Sequence, residues 1–478
     1  MPISSSSLGA VGANPQDGKA GQFSASSRDV RTWGIRSAAS LVDQAFTSGV
    51  GLVASIVLAR WMSPTDYGAF AVAFAAYLFL TVFHNALLLE PTSVIGPARH
   101  PQELPPYFRA QLRVHGILVW PLTGIALIAA LVLWRVIPTS PLPGALAGGG
   151  LALPVLLLLW LARRMCYVLQ KPSIAVIGSA VYFGVSLAAL FALRFTNRIT
   201  PANSFFVLGF TSLLGASVIF RKAGLAHVSK KVQTTVSWRR ALRENWQYGR
   251  WLVGSALFYA IATSTPTFFV AGALSLDSAG VLRAMQIPSL VMTQIIASIG
   301  LLILPELSYD FGSGRLVALR RKAIFVGMSL GITALLFTLL LALTDAPVEH
   351  LLFSGKYAHF APMIPLLAFI PVVNGFGTGY SMTLRACQRP HYDLISNAVA
   401  AIVSVVSTIL LVRRFGVFGA ALGMVFSFVA MNAVALIFFA RSRPRMIASG
   451  SPATAVPSPS TDKLEMHGSA TRPTNDYV

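Results

Sequence analysis

Three ionisable side chains interrupt long apolar stretches of the chain: Asp43, His84 and Glu90. Because a titratable group is costly in an apolar segment, it usually faces a polar cavity or a partner of opposite charge. Asp43, which stands next to Gln44, is therefore a candidate for binding a proton or a cation, or for pairing with an arginine. His84 is a candidate for proton-coupled titration, and a buried, hydrogen-bonded histidine is the alternative. For Glu90 the alternative to ion coupling is a solvated carboxylate.

The stretches that carry these residues are long enough to cross a bilayer. Of the 478 residues, 55% are hydrophobic and only 11% are charged, and the mean hydropathy is +0.68. Soluble domains carry about 25% charged residues, and disordered chains are far less apolar. A spanning helix needs about 20 apolar residues. The sequence therefore predicts an all-α membrane protein with about 12 transmembrane helices, at 37–59, 67–89, 114–134, 136–162, 172–193, 199–220, 251–276, 284–305, 323–344, 357–384, 394–412 and 415–440.

Lysine and arginine are divided unevenly between the two sets of loops that alternate along these helices. With the amino terminus inside, 29 of the 37 basic residues fall in inner segments and 8 in outer ones. Because basic residues accumulate in cytoplasmic loops, this division predicts that both termini are cytoplasmic. Most of the net charge of +21 is then a topology signal, and no nucleic-acid partner is expected.

The two halves of the membrane region carry similar motifs in the same order. Gln170-Lys171-Pro172 precedes the fifth predicted helix, and Gln388-Arg389-Pro390 precedes the eleventh. Near the second helix, Asp66-Tyr67-Gly68 resembles Asp277-Ser278-Ala279-Gly280. Two six-helix units of equal orientation form a parallel repeat, related by an axis along the membrane normal. We therefore expect two pseudo-symmetric six-helix bundles around a central cleft.

Polar segments join and flank the predicted bundles. In the joining segment Trp238, Leu242 and Trp246 recur every four residues beside arginines. This pattern favours a short helix in the lipid headgroup region, and a solvated basic connector is the alternative. Both chain ends are rich in small and polar residues and predict disordered tails. The expected order is a cytoplasmic tail, a first bundle, a basic interfacial linker, a second bundle and a second cytoplasmic tail, at 1–36, 37–222, 223–249, 250–445 and 446–478.

One motif at the first predicted outer turn is recognisable. Residues 58–70 read Leu-Ala-Arg-Trp-Met-Ser-Pro-Thr-Asp-Tyr-Gly-Ala-Phe. This segment resembles the corresponding turn of the polysaccharide or O-antigen flippases, a family of the multidrug/oligosaccharidyl-lipid/polysaccharide (MOP) exporter superfamily. Further matches follow in order at Gln170-Lys171-Pro172, Tyr248-Gly249-Arg250-Trp251 and Phe353-Ser354-Gly355-Lys356-Tyr357-Ala358. The resemblance extends over residues 31–445.

The resemblance implies a MOP/MATE-like fold and a flippase function. Such a protein moves a polyprenyl-pyrophosphate-linked oligosaccharide from the inner to the outer leaflet of the bacterial cytoplasmic membrane by alternating access. The product serves the synthesis of O-antigen, capsule or exopolysaccharide. The implied partners are the lipid-linked oligosaccharide, membrane lipids, and a polysaccharide polymerase or chain-length regulator. No cofactor, catalytic residue or metal ligand is expected.

The implied substrate carries a pyrophosphate, which arginine can hold with two hydrogen bonds while it stays charged. Arginines at the ends of predicted helices are therefore candidates for binding the pyrophosphate or the sugars. For the inner ones the alternative is positive-inside anchoring, and Arg60 has the alternative of pairing with Asp66 across its turn. The candidates are Arg36, Arg163, Arg164 and Arg250 on the predicted inner side, and Arg60 and Arg283 on the outer side.

Two other classes of protein fit parts of the pattern. A drug or cation antiporter of the same superfamily shares the fold. It is expected to have a less basic cleft than a flippase, and it lacks the Ala-Arg…Pro…Tyr-Gly turn found here at residues 58–70. A membrane polysaccharide polymerase or ligase usually needs a large outer loop, whereas the longest predicted one, 345–358, has about 14 residues. The sequence also has no Gly-x-x-x-x-Gly-Lys-Ser/Thr loop for binding a nucleotide phosphate, so ATP hydrolysis is not expected.

Overall fold

The computed structural model describes residues 27–224, 236–387 and 391–441, with side chains from residue 38 onward except at positions 301 and 305. The described residues form thirteen α-helices, one π-helical turn at Asn85–Leu89 and one 3-10 turn at Ala358–Phe360. The α-helices are α1 Ser27–Trp61, α2 Pro64–His84, α3 Glu90–Arg99, α4 Leu104–Val136, α5 Leu142–Val168, α6 Pro172–Phe195, α7 Pro201–Lys222, α8 Trp238–Ala273, α9 Leu276–Gly312, α10 Leu316–Leu343, α11 Asp345–Phe353, α12 Met363–Ala386 and α13 His391–Arg441.

Eleven helical segments are long and apolar enough to cross a membrane, and α2, the π-helical turn and α3 count as one of them. The last segment, α13, has 51 residues, or about 77 Å at 1.5 Å per residue, which is more than twice the hydrocarbon thickness of about 30 Å. Gly416 (φ 56°, ψ −134°) divides it. The Ser427 hydroxyl donates to the Ala400 carbonyl at 2.9 Å, so the two parts pack as an antiparallel hairpin. The predicted all-helical fold with twelve spans is confirmed.

Each half of the chain contributes six of these spans. In the first half α5 packs on α4 and α7, and α6 packs on α1 and α7; in the second half α12 packs on α9, α10 and α13, and α8 packs on α13. Across the halves α2 packs on α8 and α9. We name the two ends of this bundle by their turns: the Pro64 end carries the turn from α1 to α2, and the Lys171 end carries the turn from α5 to α6.

Two of the predicted domain boundaries fall inside helices. The first helix begins at Ser27, inside the tail predicted for 1–36, because a helix can continue past its apolar part once its backbone hydrogen bonds are formed. The seventh span begins at Trp238, inside the linker predicted for 223–249. The predicted tails before residue 27 and after 441, residues 225–235 of the linker, and the motif at 388–390 lie outside the described residues.

The first turns of α8 replace the short interfacial helix predicted for the linker. The side chains of Asn245 and Gln111 exchange two hydrogen bonds, at 2.8 and 3.1 Å, and His100 Nε2 lies 3.3 Å from a Glu244 carboxylate oxygen. These buried polar contacts fix the start of α8 on the first half of the chain. The spacing of apolar residues is visible in the sequence, but the polar partners on other helices are not. Trp238 and Leu242 pack on a buried cluster, whereas Trp246 is exposed.

Candidate functional site

A buried ion pair joins α1 to α5. Arg163 Nη2 donates to Asp43 Oδ2 at 2.7 Å, and Arg163 Nε donates to both carboxylate oxygens at 3.2 and 3.1 Å. Asp43 is fully buried, and only 4% of Arg163 is exposed. Taking a charge out of water costs several kcal/mol, so such a pair persists only with good geometry and further hydrogen bonds. Of the roles predicted for Asp43, pairing with an arginine is the one observed.

Two hydroxyl groups complete the environment of the Asp43 carboxylate. Tyr167 of α5 donates its phenolic hydroxyl to Oδ2, and Ser179 of α6 donates to Oδ1 at 2.5 Å. Thr47, one turn along α1, donates to the Ser179 hydroxyl at 3.1 Å. A charged carboxylate only accepts hydrogen bonds, whereas a protonated one must also donate. The contact between these three helices therefore depends on the charge of Asp43.

Arg163 is enclosed in this arrangement. Its guanidinium lies 5.1 Å from the centroid of the Trp160 ring, a favourable cation–π distance, and its Nη2 atom lies 3.5 Å from the Gln44 side-chain oxygen. A pyrophosphate therefore cannot reach Arg163 without loss of the pair with Asp43. The neighbouring Arg164 is half-buried and has no hydrogen bond or ion pair in the part of the chain that the structure describes.

A pair of buried histidines lies elsewhere in the first half. His84 Nε2 lies 3.0 Å from His115 Nδ1, and His115 Nε2 lies 3.2 Å from the Pro154 carbonyl oxygen. A carbonyl only accepts, so in the neutral pair His115 carries its hydrogen on Nε2 and accepts one from His84. His84 Nδ1 is then an acceptor, and it has no partner among the described residues. The π-helical turn, a feature frequent at functional sites, begins at the next residue.

The sequence reasoning missed His115. It is the second residue of the predicted span 114–134, so the criterion that selected Asp43 and His84, an ionisable group inside an apolar stretch, also applies to it. The pairing itself has no sequence signal, because 31 positions separate the two histidines.

The other candidates near the Lys171 end are less buried. Glu90 is half-buried at the start of α3, and Arg250 is exposed on α8, with its guanidinium 5.5 Å from the centroid of the Trp251 ring. Within the described ranges neither side chain has a hydrogen bond or an ion pair. For Arg36 the structure gives only its place in α1, because its side chain lies outside the described residues. Glu90 and Arg250 are thus accessible to a ligand in this conformation.

At the Pro64 end, a lysine of the second half caps a helix of the first half. Lys356 Nζ donates to the carbonyl oxygens of Ala59, Arg60 and Met62 at 2.9, 2.8 and 2.7 Å. These bonds use all three ammonium hydrogens and satisfy carbonyls that the end of a helix leaves without partners. Partial loss of hydration lowers the pKa of the Lys356 amine from its ordinary value. The negative end of the α1 dipole favours a cation at this position.

Arg60, the predicted outer candidate on α1, takes part in the same contact. Its Nη1 atom donates to the Leu351 carbonyl of α11 at 3.2 Å. The predicted alternative, a pair between Arg60 and Asp66, is not formed: Ser63 donates to the Asp66 carboxylate at 2.8 Å, and the Asp66 amide donates back to the Ser63 hydroxyl at 3.1 Å. Asp66 therefore stabilises the start of α2 as part of a helix cap.

The tightest contact between the halves is made by repeat-related glycines. A Cβ atom at Gly68 would overlap the Leu276 carbonyl oxygen, and one at Gly280 would lie 3.0 Å from the Gly68 nitrogen. Arg283, one turn further along α9, is half-buried, with its guanidinium 5.1 Å from the centroid of the Phe74 ring of α2. The Pro64 end is thus closed by backbone contact between α2 and α9.

Replacing Lys356 with methionine is expected to loosen the closed Pro64 end. The substitution keeps the apolar stem but removes three charge-assisted hydrogen bonds. For a partly exposed group we expect a cost of about 1 kcal/mol, which is roughly a fivefold change in the ratio of closed to open molecules. Residues 198 and 413 are exposed at the Pro64 end, one in each half. Spin labels on Arg198→Cys and Arg413→Cys therefore report the distance between the two halves at this end by pulsed electron resonance. The buried Cys166 and Cys387 are first replaced.

Arg135→Met is the matched control. Arg135 is exposed on the last turn of α4, at the Pro64 end of the bundle, and its side chain has no hydrogen bond or ion pair within the described residues. We expect its distance distribution to equal that of the parent protein. If the distance distribution of Lys356→Met also equalled that of the parent protein, the lysine would not be what holds this end closed.

No known family model matches the sequence. Among curated proteins, the chain is 22% identical over 256 residues to an uncharacterized membrane protein of Methanocaldococcus jannaschii. The match covers 52% of this chain and 49% of that protein, so the chain spans about half the length of the relative. At this identity and coverage the relative supports a membrane location and does not assign a family.

Solved structures of MOP superfamily proteins share the whole fold. The chain matches an inward-facing multidrug-resistance MATE transporter of that superfamily with a TM-score of 0.70 at 15% identity, covering 86% of this chain and 96% of the other. It matches an outward-facing MATE transporter with a TM-score of 0.64 at 14% identity, covering 87% and 95%. It matches the lipid II flippase MurJ, in an inward closed conformation, with a TM-score of 0.64 at 12% identity, covering 87% of this chain and 91% of the other. The chain is therefore a multi-pass membrane protein with the fold of the MOP superfamily transporters.

Proposed function

We propose that the protein is a flippase that moves a polyprenyl-pyrophosphate-linked oligosaccharide across the bacterial cytoplasmic membrane for the synthesis of O-antigen, capsule or exopolysaccharide. The observation that carries this proposal is the fold shared over 87% of the chain with MurJ, a flippase of a lipid-linked substrate. The motif at residues 58–70 supports it, because this segment resembles the corresponding turn of the polysaccharide flippases.

In this proposal the Pro64 end faces outward and both termini are cytoplasmic. The distribution of basic residues favours this orientation. So does the higher TM-score with the inward-facing MATE structure, 0.70 against 0.64, since an inward-facing transporter has its outer end closed and the Pro64 end is closed by the contact of Gly68 with α9. The cleft between the halves then opens at the Lys171 end, where the substrate enters.

The pyrophosphate first meets arginines at the Lys171 end. Arg250 is exposed there without an ion-pair partner in the described structure, and Arg164 and Arg36 are the further candidates. A guanidinium that has no ion-pair partner can bind a phosphate without breaking an ion pair. This distinguishes Arg250 and Arg164 from Arg163, which is bound to Asp43.

Asp43 is proposed as the site that couples transport to an ion. A proton, or a sodium ion placed against the carboxylate, would compete with Arg163 for the negative charge and weaken the link between α1, α5 and α6. Arg163 would then be free to hold the pyrophosphate when the cleft closes around it. The further candidates for proton transfer are His84, whose Nδ1 has no partner among the described residues, and the accessible Glu90.

At the Pro64 end, Arg60 and Arg283 are proposed to serve release. In the closed conformation their guanidinium groups contact Leu351 and Phe74 across the halves. When this end opens, those contacts break and the two cations face the departing headgroup. They thus exchange an intramolecular partner for the substrate once in each cycle.

A drug or cation antiporter is the alternative function. The specific observation in its favour is that the MATE transporters share this fold over 86–87% of the chain, and a buried acid on the first helix suits a cation as well as a coupling proton. The two functions differ in the substrate, so the lipid-linked intermediates of the cell decide between them.

Deleting the gene and analysing the lipid fraction tests the proposed function. We expect a polyprenyl-pyrophosphate-linked oligosaccharide to accumulate on the cytoplasmic side, with loss of one surface polysaccharide, and both effects to be reversed by the wild-type gene. An unchanged lipid fraction together with increased sensitivity to cationic drugs would support the antiporter instead.

Replacing Arg250 with alanine is expected to lower polymer export about tenfold or more while the protein still inserts. A hydrogen bond to a charged group contributes about 1.5–3 kcal/mol, and every 1.4 kcal/mol is a factor of ten. Arg243→Ala is the matched control, because Arg243 is also exposed on α8 and has no ion pair among the residues described. Equal export by the two variants would remove Arg250 from the binding site.

A further inference from the structure

A groove lies on the surface between α4 and the first residue of α8. It has a volume of about 430 Å³ and is lined by Arg113, Gly116, Ile117, Trp120 and Trp238. This volume is within the range of about 300–1,000 Å³ that is usual for small-ligand sites. None of the residues that carry the pair of Asp43 and Arg163 lines it, so the groove is separate from the transport site.

The groove changes from charged to apolar along α4. Arg113 is the last charged residue before an uncharged stretch that continues to residue 134, so it lies where the helix enters the hydrocarbon region. Below it, Ile117 and Trp120 are 42% and 66% exposed, which is expected of side chains that face lipid. Trp238, at the start of α8, lines the same groove as Arg113, and tryptophan is enriched at the membrane interface.

Arg113 is the one charged residue among those that line the groove, and no acid lines it. Arg113 is exposed and forms no ion pair or hydrogen bond with any described residue. Arg239, the residue after Trp238, has its guanidinium 5.4 Å from the centroid of the Trp238 ring. The floor is open, since a Cβ atom at Gly116 would have only a Trp120 ring carbon nearby, at 3.9 Å. The groove therefore offers a phosphate-binding group above an open, shallow apolar channel.

We propose that this groove binds one anionic phospholipid from the leaflet at the Lys171 end. The phosphate binds Arg113, whose planar guanidinium can donate two parallel hydrogen bonds to it, and the start of one acyl chain lies over Gly116 between Trp120 and Trp238. Because α4 belongs to the first half of the chain and α8 begins the second, the bound lipid bridges the two. The position of α8 on the first half then depends on membrane composition.

Native mass spectrometry of the purified full-length protein with added phosphatidylglycerol tests this site. We expect Arg113→Gln, which removes the phosphate-binding group, and Gly116→Phe, which fills the channel, each to reduce the most strongly retained phosphatidylglycerol at least fivefold. Arg135→Gln, at the opposite end of α4, is the control and should retain lipid as the parent protein does. Equal retention by all four proteins would overturn the proposal, and neither expectation depends on transport.

Competition identifies the occupant. Phosphatidylcholine with the same acyl chains is expected to be retained at least fivefold less than phosphatidylglycerol, since its headgroup has no net charge. Equal retention of the two lipids, or displacement of phosphatidylglycerol by millimolar inorganic phosphate, would contradict a site for an anionic phospholipid. Displacement by an equimolar polyprenyl phosphate would assign the groove to the substrate's lipid instead.

Discussion

Replacing Arg163 with alanine is expected to destabilise the protein more than any other single change among the proposed site residues. It leaves the Asp43 carboxylate, which is fully buried, without a cation. Removing one partner of a buried ion pair costs about 3–5 kcal/mol, and the loss is seen as a lower unfolding temperature in detergent. Asp43→Asn is expected to have an effect of similar size, because it leaves the Arg163 guanidinium buried without an anion.

The double variant Asp43→Asn with Arg163→Gln separates stability from transport. Two neutral amides can hydrogen-bond to each other, so we expect most of the stability to return. If the pair is the ion-coupled switch, transport stays lost; a double variant that is stable and transports at the parent rate would show that the pair is only structural. Arg385→Ala is the control for an exposed pair: Arg385 lies 2.7 Å from Asp393 but is 48% exposed, so its loss should cost no more than about 1 kcal/mol.

Replacing Gly68 with alanine is expected to prevent the Pro64 end from closing. The added Cβ atom would overlap the backbone oxygen of Leu276, and a backbone atom cannot move aside as a flexible side chain can. Alternating access requires both ends to close in turn, so we expect transport to fall at least tenfold. The distance between spin labels at Arg198→Cys and Arg413→Cys should shift entirely to the longer value of an open end.

Gly272→Ala is the matched control for this variant. Gly272 lies near the same end of the bundle on α8, and a Cβ atom there would meet nothing within 4 Å. We expect normal transport and an unchanged label distance. A Gly68→Ala protein that also closes and transports normally would show that the contact between α2 and α9 is not the outer gate.

The repeat and the helices could be predicted from the sequence because both depend on local composition. Uncharged windows of about 20 residues identify spans whatever they pack against. Gly68 and Gly280 stand at corresponding places of the two halves, so the same comparison that revealed the repeat also selected the residues that meet between the halves. The kink at Gly416 is the second residue of the predicted span 415–440, so it lies close to the predicted boundary between the last two spans.

The partners within the candidate site could not be predicted, because they are distant in the chain. Asp43 and Arg163 were each selected, but 120 positions separate them, and nothing in the sequence pairs one arginine rather than another with the acid. Lys356 was noted only as part of a motif, since its partners are backbone carbonyls, which every residue carries. The start of α8 was misplaced because Asn245 and Gln111, which anchor it, are 134 positions apart.

The most direct measurement of the proposed function is lipid flipping by the purified protein in proteoliposomes. The substrate is the lipid-linked oligosaccharide that accumulates in the deletion strain, carrying a fluorescent group that an external quencher reaches only in the outer leaflet. We predict that this lipid crosses between leaflets much faster with the wild-type protein than in protein-free vesicles or with the Gly68→Ala variant. We also predict that an imposed proton or sodium gradient changes the rate only while Asp43 is present. The flippase assignment would be contradicted if vesicles with inserted wild-type protein flipped the lipid as slowly as protein-free vesicles and took up a cationic drug.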